Sequence, residues 1–367
     1  MKLTDVELVR VAMPLVSPFR TSFSTQTARD ILLVHVTTDD AEGWGECVAL
    51  SDPYYSPEYV GGAADVMERF LVPRLRAATD LTAETVAEVL APVRGHRMAK
   101  AALEMAVLDA QLNAAGASLG QYFGVTRQTV PAGVSVGIMN SIPELLEAVG
   151  GYLAEGYVRI KLKIEPGWDI DAVRAVRERF GDIPLQVDAN TAYTLADAPH
   201  LRRLDDFDLL LIEQPLGEED IRQHAELARL IRTPVCLDES IVSAEAAADA
   251  IALGAAQIIN IKPGRVGGYL EARRIHDMCR ANGIGVWCGG MLETGLGRAA
   301  NIALAGLPGF TLPGDISASD RFYATDITEP FVLVDGHQTV PTAPGIGVSP
   351  LPDVMAELVT DRRWITS

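Results

Sequence analysis

The sequence predicts an α/β chain: an N-terminal α+β module followed by a (β/α)8-type barrel. Three observations carry this. The pattern changes near residue 125, from strands plus a long helical region to a regular beat. Beyond residue 131 eight short apolar runs recur, most separated by stretches with helical apolar spacing, and such alternation implies βαβ units and a parallel sheet. Polar residues collect at the C-terminal ends of the runs, where barrel active sites are built.

In chain order, MKLTDVELVRVAM and DILLVHVTTDDAEGWGE read as strands joined by a loop, SPFRTSFSTQTAR (17–29). GWGECVALSDPYYSPEY is rich in Gly, Pro and Tyr and reads as a second loop. From about 57 to 123 apolar residues recur at three- and four-residue spacing, as in MAKAALEMAVLDAQLNAAG, the mark of helix. The barrel runs are GVSVGI (133–138), VRIKLKI (158–164), PLQVDAN (184–190), DLLLIEQP (208–215), TPVCLDES (233–240), AQIINIKP (256–263), GIGVWCG (283–289) and FTLPGD (310–315). EEDIRQHAELARLI and SAEAAADAIALG are intervening amphipathic helices. An open doubly wound sheet is the alternative, but PGRVGG follows a late strand and matches neither GxGxxG nor GxxxxGK[ST]. FVLVDGHQTV (331–340) resumes strand character and is expected to pack back on the N-terminal module.

A formal net charge of −18 argues against nucleic acid and anionic membrane as partners, since phosphate contacts need clustered Lys and Arg. The same charge attracts divalent cations. Cys47, Cys236, Cys279 and Cys288 are scattered and form no CxxC pair, which leaves disulfide-dense and zinc-site readings little support. The N-terminus lacks an apolar h-region, and no run approaches a membrane span, so a cytoplasmic location is expected.

The chemistry sits in a spacing. Lys163 is followed at 25-residue steps by Asp188, Glu213 and Asp238, and 24 residues later by Lys262. On a βα repeat this places them at one height on successive strand ends. Three carboxylates crowded together would repel. A hard divalent cation resolves the repulsion, and oxygen ligands suit Mg2+, with Mn2+ able to substitute. Lys161 and Lys163 share one face of their strand, so Lys161 is expected to lower the pKa of Lys163 from its ordinary value of about 10.4. Arg265 is expected to act likewise on Lys262. Arg159, lower on the same face, reads as structural. Two lysines flanking a metal fit removal of a proton next to a carboxylate, with the metal stabilising the enediolate. Return of the proton to the other face inverts the carbon; loss of a β-leaving group gives elimination. A metal-stabilised barrel that binds without turnover remains the reading from a different class.

KLK (161–163), VDAN, IEQP, LDES and NIKPGRVGG together resemble the enolase superfamily, in its muconate-lactonising-enzyme subgroup, whose sites use a Lys or His base with Mg2+. SPFRTSF, GWGECVA, RGHRMAKAALEMAVLD, GVSVGIM, EGYVRIKLKIEPGWD, VDANTAYTL and WCGGMLETGLGRAAN are similar to the N-succinylamino acid racemase/o-succinylbenzoate synthase group. The resemblance implies a modified (β/α)7β TIM barrel (126–322), an α+β capping domain (1–125) with specificity loops near 17–28 and 48–60, and a tail (323–367) that returns to the cap. It implies that Asp188, Glu213 and Asp238 bind Mg2+ and that Lys163 and Lys262 are the acid/base pair. Lys161 then supports Lys163 and the substrate carboxylate, Asn190 and Glu239 stand behind the metal ligands, and Ser135, Arg265 and Met291 line or support the mouth. Phe19, Phe23 and Tyr55 are expected to wall an apolar side chain or a succinyl arm.

The seventh strand, GIGVWCGG, has no histidine, which argues against the mandelate-racemase type. LPGDIS offers Asp315 but Ser317 where dipeptide epimerases carry a second Asp, which disfavours a free amine. The resemblance therefore implies Mg-dependent racemisation of N-acylamino acids, with o-succinylbenzoate synthase activity in the same site. Synthase as the main role, or a muconate-type cycloisomerase, are the alternatives. A small carboxylate substrate and a homo-oligomer, such as an octamer, are the implied partners.

Overall fold

In the N-terminal sheet successive side chains are claimed by two different cores. The strands are β1 (Leu3–Arg20), β2 (Thr25–Thr38) and β3 (Glu42–Cys47), seen in a computed structural model that describes residues 1–365. Val9, Val11, Ile31 and Leu33 pack into the cluster shared with the barrel, while Val6, Leu8, Leu32 and Val34 pack under the module's own helices. A period of two thus buries both faces of one antiparallel sheet. The helix Arg97–Ala115 lies so close to β3 that a Cβ on Gly45 would stand 2.0 Å from the Ala102 carbonyl oxygen. Only glycine fits there.

The segment 17–29 is not the loop expected from its Ser, Thr and Pro content. Phe19 pairs with Gln26 and Arg20 with Thr25, so β1 and β2 extend as a hairpin that turns at Thr21–Ser24. Alternating Thr and Ser suit a pleated pair. Ser22 Oγ donates to the carbonyls of Ala189 (3.1 Å) and Asn190 (3.2 Å), which fixes the turn over the barrel mouth.

Seven parallel strands follow: β5 (Gly133–Val136), β6 (Arg159–Lys163), β7 (Leu185–Asp188), β8 (Ile212–Glu213), β9 (Val235–Leu237), β10 (Ile258–Ile261) and β11 (Gly285–Cys288), in that order around the sheet. The eighth run, 310–315, forms no ladder. Single parallel bridges, Val286 with Phe310 and Ala132 with Gly314, join it to both ends of the sheet, and Gly133 N donates to Gly314 O at 2.7 Å. Leu211, Cys236, Ile258 and Trp287 fill the barrel interior below the mouth.

FVLVDGHQTV corrects its expectation. β12 (His337–Thr339) pairs antiparallel with β4 (Thr129–Pro131), just before the first barrel strand, and not with the N-terminal sheet. That strand would otherwise leave its backbone groups unpaired. Further on, β13 (Val359–Trp364) adds to the outer edge of β1. Among the described residues no helix is long and apolar enough to cross a membrane.

Buried carboxylates lock the module to the barrel. Glu46 accepts from Thr294 N (3.0 Å), Thr294 Oγ1 (2.6 Å) and Gly297 N (3.0 Å), capping the helix Gly295–Ala305. Glu104 accepts from Tyr269 N and Leu270 N at the start of Tyr269–Ala281. Gly268 is required there, because a Cβ on it would lie 2.2 Å from the Glu104 carboxylate. Burial pushes Glu46 up to about 7 and Glu104 up to about 8.

Candidate active site

Strand register builds the site. Lys163 is the partner of Asp188, and Asp188 of Glu213. The equal spacing does not hold one height further round: Glu213 pairs with Cys236, so Asp238 stands two residues beyond. Strands of a closed barrel tilt, and neighbours at one level are therefore staggered in register. The ring order puts the acids of β7, β8 and β9 on one side. Lys163 of β6 and Lys262, which follows β10, flank them across the mouth.

The lysines are buried among carboxylates. Lys163 Nζ donates to Asp188 Oδ2 at 2.6 Å and to Asn190 Oδ1 at 2.7 Å. Lys262 Nζ donates to Asp238 Oδ2 at 2.8 Å and Tyr55 Oη at 3.1 Å, with Met291 Sδ at 3.6 Å. Lys161 Nζ lies 2.6 Å from Asp315 Oδ2, 2.9 Å from Glu213 Oε2 and 3.2 Å from Asp188 Oδ2, above the Trp287 ring. Burial opposes the charge on Lys161, but Asp315, Glu213 and Asp188 outweigh it and raise its pKa. Burial likewise opposes the charge on Lys262, but Tyr55, Glu213, Glu239 and Asp188 outweigh it and raise its pKa. Lys161 and Arg265, the cations expected to tune the catalytic lysines, are each themselves held by carboxylates. Arg265 pairs directly with Asp238 and donates to Ile241 O (2.9 Å) and Asn260 O (2.8 Å).

Burial works against the Asp188 charge, yet Lys163 and Lys161 hold that carboxyl below its ordinary range. Burial and the Asp188 charge push Glu213 upward. Glu239, whose Oε1 accepts from Asn190 Nδ2 at 2.9 Å, is pushed up to about 7 by burial and by Asp188. Asn190, Thr191, Gln214 and Leu292, four of the seven non-glycine residues with positive φ among the described residues, stand at strand ends around this mouth. Backbone strain concentrated there is a mark of a preorganised site.

The oxygen donors of Asp188, Glu213 and Asp238 are the hard-ligand type that a divalent cation takes. As placed they do not converge: among the described residues no group of three His, Cys, Asp or Glu surrounds one point. Ammonium and guanidinium groups occupy them instead. The chemistry of the set still suits a cation, because Glu239 Oε2 is buried without a hydrogen-bond partner beside Asp188 and Glu213.

A pocket opens on the lysines, lined also by Phe19, Phe23, Tyr55, Ser135, Asn190 and Met291. Asp188, Glu213, Asp238, Glu239 and Arg265 stand behind that lining. Tyr55 is more than the apolar wall expected, since its hydroxyl lies 3.4 Å from both Asp238 carboxylate oxygens. Ser135 Oγ donates to Asp315 Oδ2 at 3.1 Å. Arg159, fully buried, pairs with Asp315 at 2.8 Å. Sequence reasoning missed Asn260, which donates to Glu213 Oε1 at 2.7 Å; its place two residues before Lys262, on the same strand face, was the available signal. It also missed Arg298 and Glu293, which reach the pocket from the segment after β11.

Known proteins match this architecture. Residues 3–124 match the family described as mandelate racemase/muconate lactonizing enzyme, N-terminal domain, and residues 144–354 match enolase C-terminal domain-like. An N-succinylamino acid racemase from Amycolatopsis sp is 68% identical, with 100% of both chains covered. An o-succinylbenzoate synthase from Geobacillus kaustophilus is 49% identical over 93% of this chain and 92% of its own. A solved enolase-superfamily structure from Listeria innocua superposes with a TM-score of 0.95 at 39% identity, covering 99% of each chain. The enolase superfamily uses a divalent metal and acts on small carboxylates. With its buried lysine pair, its strand-end acids and these relatives, the chain belongs to the mandelate racemase/muconate lactonizing enzyme branch of the enolase superfamily, and is an enzyme of the N-succinylamino acid racemase and o-succinylbenzoate synthase family.

Proposed function

We propose that this enzyme inverts the α-carbon of N-acylamino acids, N-succinyl derivatives foremost, and carries out o-succinylbenzoate synthesis by dehydration in the same pocket. The observation that supports it most is the pair of buried lysines. Lys163 and Lys262 stand four strands apart in an eight-membered ring, on opposite sides of one pocket.

Lys163 takes the α-proton from one face as a neutral amine, and Lys262 returns a proton to the other face as an ammonium. One C–H bond breaks, one forms, and the two lysines exchange protonation states. Reaction of the other enantiomer runs the same exchange backwards. In the dehydration Lys163 removes the α-proton and then gives it to the β-hydroxyl, which leaves as water, so that Lys163 ends neutral as it began, and Lys262 stays charged beside the developing negative charge. Asp188, Glu213 and Asp238 would hold the cation, Mg2+ or Mn2+. When bound it supplies positive charge to the substrate carboxylate and so acidifies the neighbouring C–H. Lys161 keeps the acid cluster compact through its contacts with Glu213, Asp188 and Asp315. Phe19 and Phe23 give the pocket an apolar wall.

The reading includes a homo-oligomer, which sedimentation of the purified protein tests, and a cytoplasmic location, which fractionation of cells tests. Activity is tested by assaying the Mg2+-loaded enzyme on N-succinylamino acids and on the synthase substrate. Turnover of neither, with folded protein and metal present, overturns it.

A further inference from the structure

We infer that Arg298, together with Ser317, forms a subsite for a second carboxylate, the distal one of a dianionic acyl substrate. This rests on the racemase and synthase reading above and names what its pocket selects.

The ring order sets the direction of the ligand. The acids lie on β7, β8 and β9, and the lysines on β6 and after β10. A substrate whose α-carboxylate faces the acids, with its α-carbon between the lysines, has two directions left for its side chain and its acyl arm, up toward the cap hairpin and across to the remaining strands, and we assign the arm to the second. That side is closed by β11 and the 310–315 run, and the segments following them carry Arg298 and Ser317 into the pocket lining.

Arg298 differs from the other cations of this lining. Lys161, Lys163 and Lys262 each touch a carboxylate at 2.6 to 2.8 Å. The Arg298 guanidinium is only 4% exposed, yet its hydrogen-bond acceptors are neutral: Ser317 O, Ser317 Oγ at 3.3 Å and Glu293 O at 2.9 Å. Its Nε has no acceptor. Nearby acids are engaged elsewhere. Asp315 is taken by Lys161 and Arg159, and the Glu293 carboxylate accepts from Asn301 Nδ2 (3.0 Å) and Met291 N (2.8 Å). A buried cation without a counter-charge is unfavourable, and a ligand carboxylate arriving in the pocket supplies that charge. Phe19 and Phe322, packed edge to face at 5.8 Å, leave the arm's methylenes an apolar wall on the way.

The experiment compares three substrates of one amino acid on the Mg2+-loaded enzyme: N-succinyl, N-succinamoyl (a carboxamide in place of the distal carboxylate) and N-acetyl. A charge-assisted contact predicts a preference of about 10- to 100-fold in kcat/KM for N-succinyl over N-succinamoyl. Arg298→Gln should reduce that preference to about twofold, and Arg298→Lys should restore part of it. Because Arg298 also ties Glu293 to Ser317, the wild-type substrate series carries the test if the variants do not fold. Equal efficiency on N-succinyl and N-succinamoyl substrates, or a preference unchanged in folded Arg298→Gln, overturns the subsite while leaving the racemase reading intact. Calorimetric binding of 2-succinylbenzoate and its succinamide analogue separates the two ideas: charge-dependent binding lost in Arg298→Gln, with no turnover of any substrate, supports the subsite and overturns the activity.

Discussion

Lys163 and Asp188 are register partners on adjacent parallel strands, and their side chains meet at 2.6 Å. The contact follows from the pleat: residues paired across parallel strands and facing the barrel interior must touch. A base used in turnover has to leave this partner. Lys163→Ala and Lys262→Ala should each lower racemisation by about 1000-fold or more, at the upper end of what a general base contributes. In D2O each variant should lose α-hydrogen exchange with a different enantiomer. A single variant that still racemises, or one that abolishes exchange of neither enantiomer, refutes the two-base assignment.

Chelation provides the second test. Dialysis against EDTA should abolish turnover, and added Mg2+ or Mn2+ should restore it. A cation bound only by the folded state raises the unfolding free energy by about 2.7 kcal/mol at a concentration of 100 Kd, so melting should rise with Mg2+. Glu213→Gln and Asp188→Asn should each shift that titration to higher concentration. A melting curve indifferent to Mg2+ in the wild type counts against a cation in this cradle.

Tyr55 touches both Lys262 and Asp238 through its hydroxyl. Tyr55→Phe keeps the ring and deletes the hydroxyl's contacts with both charged groups. The expected loss is about three- to tenfold in kcat with KM little changed. A raised KM with unchanged kcat would instead make Tyr55 a wall for the substrate and nothing more.

Much of this site could be read before any coordinates, because barrel strands repeat and the repeat carries Lys163, Asp188, Glu213, Asp238 and Lys262 into one mouth. What escaped depends on contacts between distant segments. The hairpin at 17–29 is held by pairing and by Ser22 on Ala189 and Asn190, neither of which a Ser- and Pro-rich string reveals. FVLVDGHQTV has strand composition but no mark of which edge it joins, and the free edge was β4. The acid partners of Lys161 escaped because sequence neighbours were weighed above spatial ones: Asp315, far along the chain, lies 2.6 Å from Lys161 Nζ.

Arg20 bridges to Glu165 at 2.7 Å, from the hairpin to the loop after β6, with side chains 44% and 24% exposed. A pair this exposed is worth about 0–1 kcal/mol. Arg20→Ala should therefore raise KM by less than about fivefold, with kcat near wild type, and added salt should shrink the difference. A loss of 100-fold would mean that Arg20 does something other than fasten the hairpin.

Glu104 makes a prediction about stability and pH. Its carboxyl is 2% exposed and burial pushes its pKa up to about 8 from an ordinary 4.5. The folded protein therefore keeps a proton that the unfolded chain releases once the pH passes about 4.5. The stability linked to this group is fully present below that pH and is lost as the pH rises through about 8. Glu46 and Asp109, each pushed up to about 7 by burial, act in the same direction. Glu104→Gln keeps an oxygen to accept from Tyr269 N and Leu270 N but cannot ionise. Its urea midpoint, measured from pH 5 to pH 8 with the metal removed, should fall less steeply than that of the wild type. Parallel slopes in the two proteins would show that the Glu104 proton is not linked to folding, and that the carboxylate caps the helix Tyr269–Ala281 in its charged form throughout.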